Sequence, residues 1–389
     1  MNSGINPMVE QYRRIKREHQ DSVLFFRLGD FYEMFAEDAL EVSSLLDLTL
    51  TSRCGLPMCG VPYHSCQNYI ARLLQFGKKI AVCEQVSQPG KTKLIDRRVV
   101  EIITPGTTVD ENYLDKGNAN YLASLASEKE LLSFAYIDLS AGDFFATAFP
   151  AKKAGFYLGL ELERLEIREI ILSESLLLNR PDLAQKLQEK SNLVINRWAD
   201  WLFDREKSNS RLCRQFSTAN LKGYGLEDTS PEIIAAGALL DYLECTSKSL
   251  IPHIRSIKVY RDDDYAVIDE ATQCNLELVR NLRDGTEQNT LFLTLDETQT
   301  AMGRRLLRRR LLHPLKNLSM IQCRLDMVEN FYRNQEKLEV IRSIFSKIPD
   351  LERLSSRLAM DKAHGKDLFS IMNAVIGLEK IKHIIVDKS

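Results

Sequence analysis

At 389 residues the chain is too long for one ordinary hydrophobic core, and two to three domains are expected. Apolar residues make up 44% and charged residues 27%, a globular composition, and 52 Lys and Arg stand against 54 Asp and Glu, which excludes a general basic field as the source of any nucleic-acid affinity. No apolar run nears the roughly 18 residues of a spanning helix, no basic-then-apolar leader opens the chain, and eight cysteines scattered through apolar patterns suit reduced thiols, so a cytoplasmic protein is expected.

Pro7 stands near a first helical position, and Met8, Tyr12 and Ile15 follow at helical intervals opposite Arg13, Arg14, Lys16 and Arg17. A helix with a solvated basic face is predicted. Val23 to Leu28 is β-branched, aromatic and almost uncharged, as in a buried strand. A Gly29-Asp30 step then leads through Phe31-Tyr32-Glu33-Met34-Phe35 into a helix predicted over residues 37–46. Two residues apart at a strand end, Phe31 and Glu33 point the same way. Residues 48–51 read as a short strand, 53–64 as a Gly-, Pro- and Cys-rich loop that can approach a ligand, 67–76 as a helix, and 79–85 and 98–104 as strands. This mixture predicts a small α/β domain ending near Asp115.

Lys116-Gly117-Asn118 breaks the pattern and begins a second unit. Apolar runs over 131–140 and 143–149 around Ala141-Gly142 predict a β-hairpin, and alternating segments up to a long helix over 231–246 complete an α/β layer. Beyond residue 250, a strand-like start over 256–268 gives way to helices alone. Ser319 and Gln322 have capping-box spacing ahead of Leu325, Val328 and Tyr332; Asp350 precedes Leu351, Leu354 and Leu358; Leu368, Ile371, Val375 and Leu378 form a further stripe. Nothing in the chain offers these faces a partner, so the helical part reads as incomplete. The sequence has no internal repeat and no low-complexity segment.

Gly29-Asp30-Phe31-Tyr32-Glu33-Met34-Phe35, Pro57-Met58-Cys59-Gly60-Val61-Pro62-Tyr63-His64, Glu84-Gln85 and Thr104-Pro105-Gly106-Thr107 occur in the order found in the MutS family of DNA mismatch-repair proteins, which the chain resembles. The similarity continues through Leu250-Ile251-Pro252-His253-Ile254 and Ile268-Asp269-Glu270-Ala271-Thr272 to the end; Cys54 and the short loop before Pro57 depart from the family pattern. The resemblance implies a multidomain fold: a small mixed α/β mismatch-recognition domain over 1–115, a ribonuclease H-like α/β connector domain over 116–250, and the N-terminal portion of an all-α core or lever domain over 251–389. It implies recognition of mispaired or unpaired bases in duplex DNA, with Phe31 as the wedge stacked beside the mispaired base and Glu33 as the carboxylate that contacts a base. Tyr32, Arg53, Met58, His64 and Arg97 are the positions it implies for the DNA backbone. In the family, ATP and Mg2+ serve a C-terminal ATPase, two subunits form a homodimer, and MutL is the partner expected through the connector. This chain is expected to hold no cofactor, to be monomeric and to bind DNA weakly, since it lacks encircling contacts and a second subunit.

The residue chemistry agrees with the resemblance in places and tempers it in others. An exposed apolar wedge unstacks a base step most cheaply where pairing is already defective, although a Phe beside a strand is ordinarily core. A carboxylate beside phosphates is repelled; aimed at a base edge, the phosphate field and desolvation favour its protonated, donating form, so Glu33 discriminates by penalising intact duplex. Its ordinary reading is a solvated acid near a helix start. Arg53, His64, Arg72, Lys78, Lys79, Arg97 and Arg98 are candidates for phosphates, each of which alone reads as a surface charge.

Cys54, Cys59, His64 and Cys66 have no Cys-x-x-Cys pairing and are split by prolines, which argues against zinc. Gly90-Lys91-Thr92 lacks the glycine that a phosphate loop needs five residues before Gly90, so no ATPase is expected here. A metal nuclease is the rival from another class. It would use Asp138 on the first hairpin with Asp241 and Glu244, against the several converging carboxylates that two ions require. Residues 302–312, rich in Arg and Leu, read as an amphipathic helix whose Arg stems snorkel over a core edge. A third alternative, a module that holds a repair partner through the connector without DNA, predicts binding insensitive to Phe31.

Overall fold

The computed structural model describes residues 6–86, 96–190, 193–247, 251–261 and 265–386. The Gly90-Lys91-Thr92 segment lies outside them.

The first unit is built on a six-stranded sheet in the order β3-β4-β2-β1-β5-β6. Its strands are β1 (Ser22–Leu28), β2 (Phe31–Phe35), β3 (Thr51–Arg53), β4 (Leu56–Pro62), β5 (Lys79–Gln85) and β6 (Arg97–Ile103). Only β1 and β5 run parallel; the other pairings are antiparallel. Alternation sends Val23, Phe25, Tyr32, Met34, Cys59 and Val61 to one face, where helices α2 (Ala36–Leu46) and α3 (Cys66–Gln75) cover them. Leu24, Phe26, Phe35, Ala81 and Cys83 point to the other face, which α1 (Pro7–Glu18) covers with Tyr12 and Ile15.

Two elements differ from expectation in ways that shape the site. The Gly29-Asp30 step does not lead straight into a helix: Phe31–Phe35 folds back as β2, pairing Leu28 with Phe31 and Phe26 with Glu33. Nor are residues 53–64 a loop. The short strand comes at Thr51–Arg53, later than predicted, and pairs through the Cys54-Gly55 turn with β4, which pairs with β2 in turn. Proline and glycine disguised β4, but Pro57 and Pro62 are its second and last residues, where few ladder bonds are forfeited. Lys16 leaves the predicted solvated face, because its ammonium donates to Asp38 at 2.8 Å and to the Ser22 carbonyl at 2.7 Å.

The second unit carries a sheet in the order β11-β10-β7-β8-β9-β12. Its strands are β7 (Tyr121–Glu128), β8 (Leu131–Asp138), β9 (Asp143–Pro150), β10 (Glu169–Ser173), β11 (Val194–Trp198) and β12 (Lys258–Val259). β7, β8 and β9 form an antiparallel meander and β10 and β11 add in parallel, while α4 (Ala154–Leu165) covers one face and the helix Glu232–Ser247 the other. Among the described residues, the strand predicted over 256–268 is limited to β12 and an isolated bridge between Tyr265 and Leu315.

Helices dominate thereafter, the long ones being Ala301–Leu312, Leu318–Arg333, Gln335–Phe345, Leu351–Ala359 and Gly365–Val386. Asn317, not Ser319, caps Leu318–Arg333: its side chain accepts from the Met320 amide at 3.1 Å, and asparagine is among the best N-caps. The last helix buries Ala374 and Ile381, while Leu368, Val375 and Leu378 of the predicted stripe stay exposed. Among the described residues no helix is long and apolar enough to cross a membrane.

Arg310 of Ala301–Leu312 is exposed, but the other arginines of this helix are held in ion pairs. Arg305 is bidentate to Asp350 at 2.6 and 2.8 Å and reaches Glu352; Arg308 joins Glu287 to Glu166; Arg309 meets Asp143 at 3.0 Å. Arg353, 1% exposed, donates to the Asp115 and Asn118 carbonyls at 2.8 and 2.7 Å. These side chains join the helical part to the second unit and to the connection between the first two.

Candidate nucleic-acid interface

The β1–β2 hairpin ends in a two-residue turn in which Gly29, at φ +59°, occupies the left-handed region without a Cβ penalty. Arg27 braces it: its Nε donates to the Gly29 carbonyl at 2.6 Å, and its guanidinium lies 3.8 Å from the Tyr63 ring centroid. The Tyr63 amide donates to the Asp30 carbonyl at 2.9 Å, so β4 ends against the same turn. Phe31 stands beside this braced tip, 47% exposed. Strand aromatics are normally covered, as Phe25, Phe26 and Phe35 are here.

Glu33 shares the Phe31 face. It is opposite Gly60, where an added Cβ would lie 3.3 Å from the Tyr32 carbonyl and 3.5 Å from the Glu33 Cγ, so the glycine makes room for the carboxylate. Arg53 Nη1 donates to both Glu33 carboxylate oxygens at 2.8 Å. The sequence reading assigned the two residues to separate DNA contacts; the structure brings them together.

The remaining predicted positions divide. His64 is exposed in the turn that follows β4, its ring edge-on to Tyr63 at 6.0 Å, and α3 begins two residues later with the positive end of its dipole on that side. Tyr32 is buried on the α2 and α3 side of the sheet, away from Phe31, and its hydroxyl donates to Glu84. Burial and that carboxylate push the phenol well above its ordinary range. Met58 is half-buried against the α1-side core, opposite Phe35 and Thr51.

Arg97 is likewise turned inward. It is buried, its Nε donates to the Arg27 carbonyl at 2.7 Å, Nη1 donates to Gln11 at 3.1 Å, and its guanidinium lies 4.9 Å from the Phe26 centroid. Its cation therefore stitches β6 to β1 and α1. Lys78 pairs with Glu41 and Lys79 with Asp21, whereas Arg72 and Arg98 are exposed. Arg27 and Tyr63 were missed. The signal was available in the ladder: once Phe31–Phe35 is a strand, Arg27 falls opposite Tyr32 and Pro62 opposite Phe31.

The alternative chemistries find little support in the geometry. Cys59 turns its thiol towards the Ala39 carbonyl, and burial pushes it up to about 11, while Cys54 sits in the β3–β4 turn. Asp138 is consumed by its own hairpin: it accepts from Ser140 Oγ at 2.6 Å, the Ser140 amide at 2.9 Å and the Asn120 amide at 3.1 Å. Asp241 and Glu244 each lie 3.2 Å from Arg211. Among the described residues no group of three His, Cys, Asp or Glu side chains could hold a metal.

Residues 6–112 match the family MutS domain I, residues 120–255 MutS domain II and residues 271–389 MutS domain III. Over 398 aligned residues the chain is 44% identical to the DNA mismatch repair protein MutS of Treponema denticola, covering all of this chain and 45% of that protein.

The chain belongs to the MutS family.

Its similarity to the MutS of Treponema pallidum is 46% over 369 residues, and to that of Borreliella burgdorferi 39% over 379 residues. The chain spans less than half the length of these curated MutS relatives. The braced hairpin and its exposed aromatic lie within the MutS domain I match, and the Asp138 meander within that of MutS domain II. Thr104-Pro105-Gly106-Thr107 has a structural role. Glu169, fully buried at the start of β10, accepts from Thr104 Oγ1, the Gly106 amide at 2.9 Å, Asn196 and Tyr242, locking the end of the first unit onto the second.

Proposed function

We propose that this chain recognises mispaired or unpaired bases in duplex DNA, as part of DNA mismatch repair. The observation that carries this reading is Phe31: a large aromatic held half-exposed at a braced hairpin tip, with a carboxylate on the same face. Such a ring enters a base step where pairing is already broken, because there the unstacking cost is least. Glu33 then meets the base edge. In intact duplex the base stays stacked and the carboxylate finds only phosphates, so the pair of residues selects the defect. Arg53 and His64 flank the tip as the backbone contacts, holding the bend that a wedge imposes.

The domain division 1–115, 116–250 and 251–389 belongs to the same proposal. The connector is read as ribonuclease H-like, a reading supported by the antiparallel β7, β8 and β9 followed by parallel β10 and β11. MutL is the partner assigned to it. ATP and Mg2+ chemistry and homodimer formation are assigned to stretches of the longer relatives beyond the one this chain matches, and the eight free cysteines accord with a cytoplasmic setting.

The test is fluorescence anisotropy at low salt on matched and single-mismatch duplexes, with the wild-type chain and Phe31→Ala, since a phosphate-dominated complex weakens steeply with salt. The wild type is expected to prefer the mismatch, and Phe31→Ala to keep residual binding with a mismatch-to-matched ratio near one. A Phe31→Ala protein with undiminished preference would sink the wedge; binding of a repair partner indifferent to Phe31, with no mismatch preference, would favour the connector module.

A further inference from the structure

We infer that Arg53 is a specificity-determining latch on Glu33, silencing the carboxylate on intact DNA and releasing it at a mismatch. This inference rests on the mismatch reading above and adds a residue that acts on selectivity through another.

The geometry is specific. One terminal nitrogen of Arg53 bridges both Glu33 oxygens at 2.8 Å, and among the described residues no other side chain bonds to that carboxylate. The partners differ in exposure: the Glu33 side chain retains 13% of its surface and Arg53 47%. Arg53 ends the three-residue edge strand β3, whose residues are all exposed, just before the Cys54-Gly55 turn. Glu33 sits inside the sheet opposite Gly60, with Phe31 beside it on the same face. The cation is therefore on the exposed edge and the anion on the covered interior of the sheet.

Charge accounting sets the direction of the effect: the closed pair spares matched DNA the repulsion of Glu33, so the latch favours scanning and lowers the mismatch-to-matched ratio. While the bases stay stacked, Glu33 has nothing to exchange its partner for, and the closed pair presents a neutral surface to the phosphates. When Phe31 enters a defective step, a base edge comes within reach of Glu33 and a phosphate within reach of the freed guanidinium, which matches phosphate geometry well. One ion pair is traded for two new contacts at the mismatch, and for none on matched DNA. Without Arg53, a bare carboxylate would meet every phosphate the protein scans. This lowers matched binding more than mismatch binding.

The experiment measures affinity for matched and single-mismatch duplexes with wild type, Arg53→Met, Glu33→Gln and the double variant. Arg53 lies in an exposed edge strand, so folding should survive, and circular dichroism checks it. Arg53→Met is expected to weaken both complexes but matched DNA more, raising the mismatch-to-matched ratio about threefold, the scale of a half-exposed ion pair. In the Glu33→Gln background the same substitution should weaken both duplexes alike, leaving the ratio unmoved. Parallel loss on both duplexes with Glu33 present would overturn the latch and leave Arg53 a plain phosphate contact. A wild type without mismatch preference would instead overturn the mismatch reading, and a preference undiminished in Phe31→Ala would overturn the wedge; neither outcome depends on Arg53.

Discussion

The hairpin tip and the junction of the three units treat charge in opposite ways. At the tip, Glu33 and Arg53 have only each other among the described residues, His64 is exposed, and an aromatic ring stands in solvent. At the junction, Arg305, Arg308 and Arg353 are almost wholly buried, and carboxylates or backbone carbonyls meet them. Surface pairs contribute little and part easily, whereas a buried charge that loses its partner costs several kcal/mol. The difference teaches where adaptability and rigidity reside. The tip can exchange partners with a ligand, and the junction holds the tip in place.

Four changes would break or sharpen this contrast. The largest effect is expected for Arg353→Met, which removes the donors to the Asp115 and Asn118 carbonyls within the junction. A loss of about 3 kcal/mol in urea denaturation is expected; a change below about 1 kcal/mol would mean the connection is not held there. Gly106→Ala comes next. Its new methyl would stand 2.9 Å from both the Cβ and an oxygen of Glu169 and 3.1 Å from Leu122, an overpacking expected to cost about 1–3 kcal/mol. Unchanged thermal stability would show that the two units separate freely.

His313 gives a pH test. Burial, with Arg164 and Arg309 nearby, drives the imidazole from 6.5 down to about 2. The Arg164 guanidinium lies 3.1 Å from its Nδ1, an arrangement that suits a neutral ring accepting at that nitrogen. An unfolded chain takes up the proton below 6.5 and the folded one does not, so this residue makes stability fall as pH falls between those values, by up to about 1.4 kcal/mol per pH unit. His313→Gln should flatten that slope in denaturation measured from pH 7 to pH 4. An identical slope would show that other groups carry it.

The smallest effect on stability is expected at the tip: Phe31→Ala should shift unfolding by no more than about 0.5 kcal/mol, as exposed positions do, while erasing mismatch preference. A loss of several kcal/mol in the same denaturation experiment would place Phe31 in the core and contradict the contrast.

Much of the first unit was legible from local pattern. The buried runs at Val23–Leu28 and Lys79–Gln85 and the Pro7 helix follow from alternation and capping chemistry that need no distant partner. Strand β4 was not, because Pro57, Gly60 and Pro62 read locally as loop; its ladder to β2 and β3 is a long-range fact. Phe31 and Glu33 were placed on one face by period alone, and that survives β2 being a strand. Tyr32, on the opposite parity, was buried by the same rule, which the sequence reading did not apply to it.

Composition, hydropathy period and motif order determined by themselves that this is a chain of mixed α/β units followed by helices, and that Phe31 and Glu33 stand side by side. Those properties depend on neighbours within a few residues. Tertiary structure alone decided which cations are accessible: Arg97, Arg305, Arg308 and Arg353 look like Arg53 in sequence, yet their carbonyl and carboxylate partners, many of them more than a hundred residues away, bury them. A charge announces its sign from sequence, but desolvation and pairing, which set what it can bind, belong to the folded chain.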